Sequence, residues 1–289
     1  MAQKKKLDRK KTPSADAVTQ AWARLRIAAP DPHFSLTAID PADKPFSSGD
    51  KAADREAVQA LAEEIDTLQN LFYADRRYKM LLVLQGLDTS GKDGTLRTVF
   101  GRTSPIGVRA VAWRAPNDAE RAHDPLWRIH KEVPGLGEIV VFNRSHYEDV
   151  LVPAANGQID AAETRRRYAQ FNDFERMLAE SGTVVVKFLL HISKDEQRVR
   201  LQERLDDPTK RYKFQRGDLE VRKQWDAYQR LYEQAVAATA APWAPWIIVP
   251  ADSKTHRNLM IGQAVRDTLR SLDLRYPDDD PALASLKVR

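Results

Sequence analysis

Residues 81–96, LLVLQGLDTSGKDGTL, constrain the fold more than any other stretch of the chain. An apolar run leads into Gly86-Leu-Asp-Thr-Ser-Gly91-Lys92, and a helical pattern follows. Strand, glycine-bearing loop and helix in that order make a phosphate cradle. Gly86, Gly91 and Gly94 permit close backbone approach, with Thr89, Ser90 and Thr95 filling the frame. Consecutive N–H groups at a helix N-terminus face an anion, and Lys92 reaches phosphate oxygens. A plain turn with an exposed lysine has the same letters, but the full spacing between strand and helix favours phosphate. In the usual loop a Ser or Thr follows the lysine and its hydroxyl ligates magnesium. Here Asp93 follows Lys92, and a carboxylate, Asp88, lies inside the loop. Any metal is therefore held differently.

The rest of the chain supplies a sheet for this loop. Apolar runs with β-branched residues at 80–85, 108–113, 138–142, 183–191 and 246–249 alternate with helix-length patterns at 95–102, 119–132, 163–180, 194–205, 218–238 and 256–272. That alternation predicts an α/β three-layer sandwich: a five-stranded parallel sheet with helices on both faces. At 289 residues the chain can bury a full core. The expected organisation is a basic tail and extension over 1–50, with a helix at 15–25, then a domain over 51–275 opened by a long amphipathic helix at 52–78, and a loose polar tail over 276–289. No apolar run approaches the roughly 18 residues of a membrane span, and the N-terminus lacks the apolar core of a secretory signal. The chain has no cysteine, which excludes disulfides, thiolate metal sites and thiol nucleophiles. The cytoplasm is the default location.

Net charge is +5, and the cations are clustered: Lys4, Lys5, Lys6, Arg9, Lys10 and Lys11 in the tail, Arg165 to Arg167, and Lys210, Arg211 and Lys213. Such a balance points to a polyanionic partner. The third apolar run ends in VVFNRSHYED, 140–149. Ligands of open parallel sheets sit at the carboxyl ends of strands, so Arg144 and Ser145 are expected to emerge beside the phosphate loop. Arg144 is the natural clamp on a phosphoryl group, although Glu148 and Asp149 also lie within its reach. Asp88 either binds a metal, takes a proton, or caps its own turn. Asp93 is either a helix N-terminal charge or a metal or ribose ligand. The basic segment 205–218 between two helical patterns is either a lid or a solvated loop. None of the six histidines has metal-ligand spacing, and the tryptophans 113, 127, 225, 243 and 246 are expected in the core. His123 and Asp124 precede Arg128, a cluster that can face the site.

Three motifs in order, GLDTSGKDGT (86–95), FNRSHYEDV (142–150) and DDPTKRYKF (206–214), resemble the family-2 polyphosphate kinases. PNDAERAHDPLWR (116–128) and DLEVRKQWDAYQRLYE (218–233) are also similar to that family, and the resemblance covers about residues 50–275. It implies a thymidylate-kinase-like P-loop fold with a helical lid around 205–218. The implied activity is magnesium-dependent phosphoryl transfer, with manganese as the alternative ion, between inorganic polyphosphate and a nucleotide. Carried over by motif, Asp88 handles metal or proton, Lys92 contacts phosphate, Arg144 clamps it, and Lys210, Arg211 and Lys213 are lid cations. Many members carry Asp where this chain has Asn143, so the metal set becomes Asp88 and Asn143 with phosphate oxygens and water. The form FNRSHYED looks most like the subgroup that accepts both AMP and ADP.

Phosphoryl transfer needs alignment and charge neutralisation more than covalent chemistry, and a polyanion needs a basic track. Arg97 and Arg102 are expected on the helix after the loop and along that track, with Asn117 and Arg128 on the acceptor side. The expected partners are polyphosphate, AMP, ADP and ATP, in a homodimer or homotetramer. Two rivals share parts of this pattern. An ATP-dependent nucleoside monophosphate kinase shares the fold but is disfavoured by the missing Ser/Thr after Lys92. A nucleic-acid binder would use the cation clusters, but the chain has no RNA-binding aromatic motif or obvious recognition helix.

Overall fold

The computed structural model describes residues 13–278, 280, 281, 283 and 286–288. The six tail cations from Lys4 to Lys11 therefore lie outside the described residues. Among the described residues the elements run α1 (Ala15–Leu25), β1 (Arg26–Ile27), α2 (Lys51–Asp75), β2 (Lys79–Gln85), α3 (Lys92–Val99), β3 (Val108–Ala112), α4 (Asp118–Arg121), α5 (Trp127–His130), β4 (Ile139–Asn143), α6 (Glu148–Ala155), α7 (Ala161–Glu180), β5 (Thr183–His191), α8 (Lys194–Asp206), α9 (Gly217–Lys223), α10 (Trp225–Thr239), β6 (Trp246–Pro250) and α11 (Lys254–Arg270).

The strands form one sheet in the order β1-β6-β5-β2-β4-β3. The five expected strands are all present and mutually parallel. The correction is a sixth, the two-residue β1, which pairs antiparallel to β6. The chain leaves β2 in one direction for β3 and crosses back past it to β5, so β2 lies at the reversal of strand order. Crevices open at the carboxyl ends of strands at such a reversal.

Strand alternation divides the core between the two faces of the sheet. Met80, Leu82 and Leu84 face one apolar layer with Ile65, Phe72, Met260 and Val265, while Leu81 and Val83 face another with Phe142, Phe174 and Leu178. On the first face α2 and α11 pack closely enough that a Cβ on Gly262 would lie 3.3 Å from Leu61. The extension before α2 is strapped to the domain. Ser35 Oγ and Leu36 N–H donate to Glu233 at 2.8 and 2.7 Å, and Asp54 accepts from Ser47 and Ser48.

Three expected helices differ. The pattern over 119–132 divides into α4 and α5 because Pro125 disfavours helical backbone at the residue before it. The first helix after the loop ends at Val99, with Gly101 just beyond, so Arg102 lies outside it. The pattern over 218–238 is broken at Gln224. Among the tryptophans, Trp225 and Trp246 are buried as expected, whereas Trp243 is exposed.

Candidate active site

The register of β2 against β4 sets the site. Leu84 pairs with Asn143, and the Arg144 N–H donates to the Leu84 carbonyl at 3.0 Å. The phosphate loop and the third-strand motif therefore leave the sheet side by side. Both turn through left-handed backbone, with φ of 68° at Thr89 and 64° at Arg144. Such values are uncommon for residues with a Cβ, and most so for a β-branched threonine.

Every carbonyl from residue 86 to residue 90 is held inward by a side-chain donor. Lys92 Nζ donates to Gly86 at 2.6 Å and Leu87 at 3.2 Å. Gln197 donates to the Asp88 carbonyl at 3.4 Å. Arg200 donates to Thr89 at 2.9 Å and Ser90 at 3.4 Å, and Arg257 donates to Ser90 at 3.2 Å. With the carbonyls turned to the protein, the loop's amide face is left for an anion. Ser90 Oγ and Thr89 Oγ1 are buried without a partner among the described residues. Thr95 turns away from the loop and donates to Asn258 at 3.3 Å.

Asp88 and Arg144 meet at 2.5 Å, and Arg144 also donates to Glu148 at 3.1 Å. Burial raises the Asp88 carboxyl, but Lys92, Arg144 and Arg204 outweigh it and hold it below the ordinary carboxylate range. Burial, with Arg144 beside it, brings Lys92 down to about 8. Burial lowers Arg144, but Glu148 and Asp88 reverse that and raise it. Asn143 Nδ2 donates to Asp93 Oδ1 at 2.7 Å, and Lys213 Nζ reaches Asp93 Oδ2 at 3.6 Å.

The remaining residues singled out in the sequence divide. Arg128 is buried and donates to both oxygens of Asp149 at 3.1 and 2.9 Å, to the Arg114 carbonyl at 2.9 Å, and lies over the Trp113 ring. Ser145 does not emerge beside the loop. The left-handed turn at Arg144 directs it inward, where it is fully buried and donates to Gln85 at 3.2 Å. Asn117 caps α4, its Oδ1 accepting from Glu120 N–H at 2.9 Å. Arg97 is exposed on α3, and Arg102 pairs with Glu63 at 3.2 Å. Of the three cations expected on the lid, Lys210, Arg211 and Lys213, the last reaches Asp93 at the end of the loop. Lys210 pairs with Asp207 at 2.7 Å, and Arg211 donates to the Leu205 carbonyl at 2.7 Å. Arg166 and Arg167 pair with Glu163 on their own helix.

Sequence reasoning missed Arg200, Arg204, Asp218, Tyr228, Tyr232 and Arg257. Arg204 bears on Asp88 and donates to the Lys213 carbonyl at 3.2 Å. Burial, then Asp88, raises the Asp218 carboxyl. Burial raises the phenols of Tyr228 and Tyr232, with Glu148 and Asp88 adding to it. The α9–α10 stretch was visible as a motif, but no residue type in it signals phosphate chemistry.

Among the described residues no three carboxylates or histidines gather as a ready-made metal cage. The donor set still suits a hard cation that keeps water and phosphate ligands, because Asp88 offers a carboxylate and Asn143 an amide whose nitrogen is already engaged by Asp93.

Comparison with known proteins finds relatives over most of the chain. The polyphosphate kinase 2 (PPK2) family model matches residues 48–277. The chain is 47% identical over 259 residues to the AMP/ADP-polyphosphate phosphotransferase of Meiothermus ruber, covering 90% of this chain and 96% of that protein. It is 38% identical over 239 residues to the ADP-polyphosphate phosphotransferase of Rhodopseudomonas palustris, covering 78% of this chain and 83% of that one. The crystal structure of polyphosphate kinase 2 from Arthrobacter aurescens TC1 superposes with a TM-score of 0.86 at 42% identity, covering 91% of this chain and 94% of that one. The family model and these relatives cover most of the chain's length, and the chain belongs to the polyphosphate kinase 2 family.

Proposed function

We propose that this chain transfers the terminal phosphoryl group of inorganic polyphosphate to AMP and to ADP, forming ADP and ATP, and runs in reverse when ATP is in excess. The observation that carries this reading is the meeting of Asp88 and Arg144 at 2.5 Å over the mouth of the phosphate loop. A carboxylate, a guanidinium and the loop lysine thus converge where two parallel strands end. The relative from Meiothermus ruber, named for both AMP and ADP, supports the dual acceptor.

In this mechanism the loop amides and Lys92 bind the donor chain, and Arg144 neutralises the equatorial oxygens of the group in flight. Asp88 orients or deprotonates the attacking phosphate oxygen, and its depressed pKa keeps it ionised at neutral pH. Arg128, held by Asp149, organises the acceptor side. The segment around 205–218 acts as a lid that brings Lys213 to the loop and, on closing, Lys210 and Arg211 to the polyphosphate; the Lys213–Asp93 contact at 3.6 Å supports this. Magnesium, or manganese in its place, would be held by Asp88 and Asn143 and would supply further charge neutralisation to the phosphates. The assembly is read as a homodimer or homotetramer, which light scattering tests. No described helix is long and apolar enough to cross a membrane, in keeping with a cytoplasmic site of action.

The test is ATP formation from AMP, and separately from ADP, with long-chain polyphosphate and magnesium, beside an Asp88→Asn control. Formation from both, lost in the control, is expected. Formation from ADP alone removes the dual acceptor. Transfer only from ATP to a monophosphate replaces polyphosphate as donor.

A further inference from the structure

Two arginines lie beneath the phosphate loop, each at least nine-tenths buried: Arg200 from α8, 5% exposed, and Arg257 from α11, 3% exposed. Their partners differ. Arg200 has a carboxylate, Glu196, at 2.8 Å, and four backbone carbonyls, those of Thr89, Ser90, Ala251 and Asp252. Arg257 has no carboxylate within ion-pair distance among the described residues. It donates to Ser90 O at 3.2 Å and to Asn258 Oδ1 at 3.2 and 2.9 Å. A buried guanidinium without a counter-charge is costly to hold. Burial and the neighbouring Arg200 bring its pKa down to about 9, the direction an unmatched cation takes.

The loop is built around this guanidinium. A Cβ on Gly91 would lie 1.8 Å from Arg257 Nη1, and one on Gly94 would lie 3.1 Å from Nη2. Gly91 also has φ of 109°, so backbone conformation and contact both require glycine there. The side chain thus sits against the inner face of the turn whose outer face presents the amides.

We propose that Arg257 is a positioning residue of the phosphate site: it fixes the Ser90 carbonyl inward under Gly91, and its unmatched charge is completed by a phosphate chain bound on the opposite face of the loop. The inference rests on the reading of this loop as the phosphate-chain site. The counter-charge the interior lacks is supplied by the ligand, so binding and the burial of Arg257 are energetically linked. Arg257 does not touch the reacting atoms. It acts through the loop, and its loss weakens phosphate binding without removing Asp88, Lys92 or Arg144.

The experiment measures thermal unfolding of the wild-type, Arg257→Met and Arg257→Lys chains with and without tripolyphosphate and long-chain polyphosphate, together with KM and kcat. In the wild type both phosphates raise Tm; if neither does, the loop reading itself fails. In Arg257→Met the unliganded Tm is expected near or above the wild-type value. The ligand-induced rise should shrink, and KM for polyphosphate should increase about tenfold with a smaller change in kcat. A purely structural role gives the reverse: a lower unliganded Tm with an unchanged ligand-induced rise and unchanged KM, which overturns the proposal. Should the methionine variant not fold, Arg257→Lys decides, because it keeps the charge on a slightly shorter stem. A single ammonium cannot serve both Ser90 and Asn258 in the fork geometry, so a raised KM for polyphosphate is expected, and a wild-type KM overturns the proposal.

Discussion

Lys187 on β5 and Arg257 on α11 are both buried cations, and the chain treats them in opposite ways. Lys187 Nζ meets Glu175 at 2.5 Å and also donates to Tyr147 Oη at 3.1 Å and the Thr239 carbonyl at 2.7 Å. Glu175 in turn accepts from Tyr147 at 3.0 Å and pairs with His146 at 3.2 Å. Burial raises the Glu175 carboxyl, but Lys187 and His146 outweigh it and hold it below its ordinary range. This cluster is electrically closed, and because His146 and Tyr147 lie two and three residues after Arg144, it anchors the third-strand motif from behind. Arg257 meets only neutral oxygens. A matched pair requires no ligand and serves position; an unmatched cation is reserved for an anion that arrives. The same residue chemistry, placed on two sides of one sheet, separates scaffold from binding site.

The largest effect should come from opening the closed cluster. Glu175→Leu leaves Lys187 buried without a counter-charge and is expected to cost about 3–5 kcal/mol of stability, read from urea unfolding. Adding Lys187→Met should recover much of that loss, because removing both charges avoids an isolated ion. A neutral single variant would erase the distinction between the two cations.

His256 buries its base in a third way, by staying neutral. Its Nε2 accepts from the Phe46 N–H at 3.3 Å, which requires an unprotonated nitrogen. Burial brings its pKa down from 6.5 to about 4, against the opposing pull of Asp43 and Asp54. The unfolded chain therefore binds the proton first as pH falls. The contribution is fully present above pH about 6.5 and is lost progressively toward pH about 4, on the order of 3 kcal/mol in all. His191, which burial also lowers, acts in the same direction. Unfolding midpoints of His256→Gln measured across that window should fall less steeply than those of the wild type. Parallel curves would remove His256 as the titrating group.

Gly91→Ala probes the contact between loop and guanidinium directly. The strained backbone and the collision with Arg257 together should cost about 2 kcal/mol. Arg257→Met should relieve the collision and leave the backbone part, so the double variant loses less than the sum of the singles. Strict additivity would mean that loop and guanidinium are independent.

These contrasts explain what was legible beforehand. β2, β4, β5 and β6 were readable because burial on both faces gives near-continuous apolar runs, the partly exposed edge strand β3 through its two valines, and the phosphate loop because its glycines serve backbone needs no other residue meets. The two-residue β1 carries no periodicity; β6 alone defines it. Pro125 divides the helical pattern over 119–132, a break that apolar periodicity alone does not register. Ser145 was misplaced because the left-handed turn at Arg144 reverses the direction of the next side chain, and nothing in FNRSHYED announces it. Asp88, Lys92, Arg144 and Lys213 do converge, being fixed by strand ends and by the loop that follows α8. Arg200 and Arg257 lie at helix positions that read as solvated surface, and only the packing of α8 and α11 under the loop buries them.

The smallest effect extends the same contrast to the surface. Arg97 is exposed on α3 with no carboxylate within ion-pair distance among the described residues, whereas Arg102 shares its charge with Glu63 at 3.2 Å. Both were placed on the polyphosphate track by sequence. If an unmatched cation is the mark of an anion site, Arg97→Ala should weaken long-chain polyphosphate binding about threefold and lower the slope of log affinity against log salt by about one. Arg102→Ala should do less on both counts, since Glu63 already neutralises it. Exposed pairs contribute little to stability, so neither substitution should shift Tm measurably. Equal effects of the two variants on the salt slope would show that the polyphosphate displaces Glu63 from Arg102, and that ion pairing at the surface, unlike pairing in the core, does not withdraw a cation from the track.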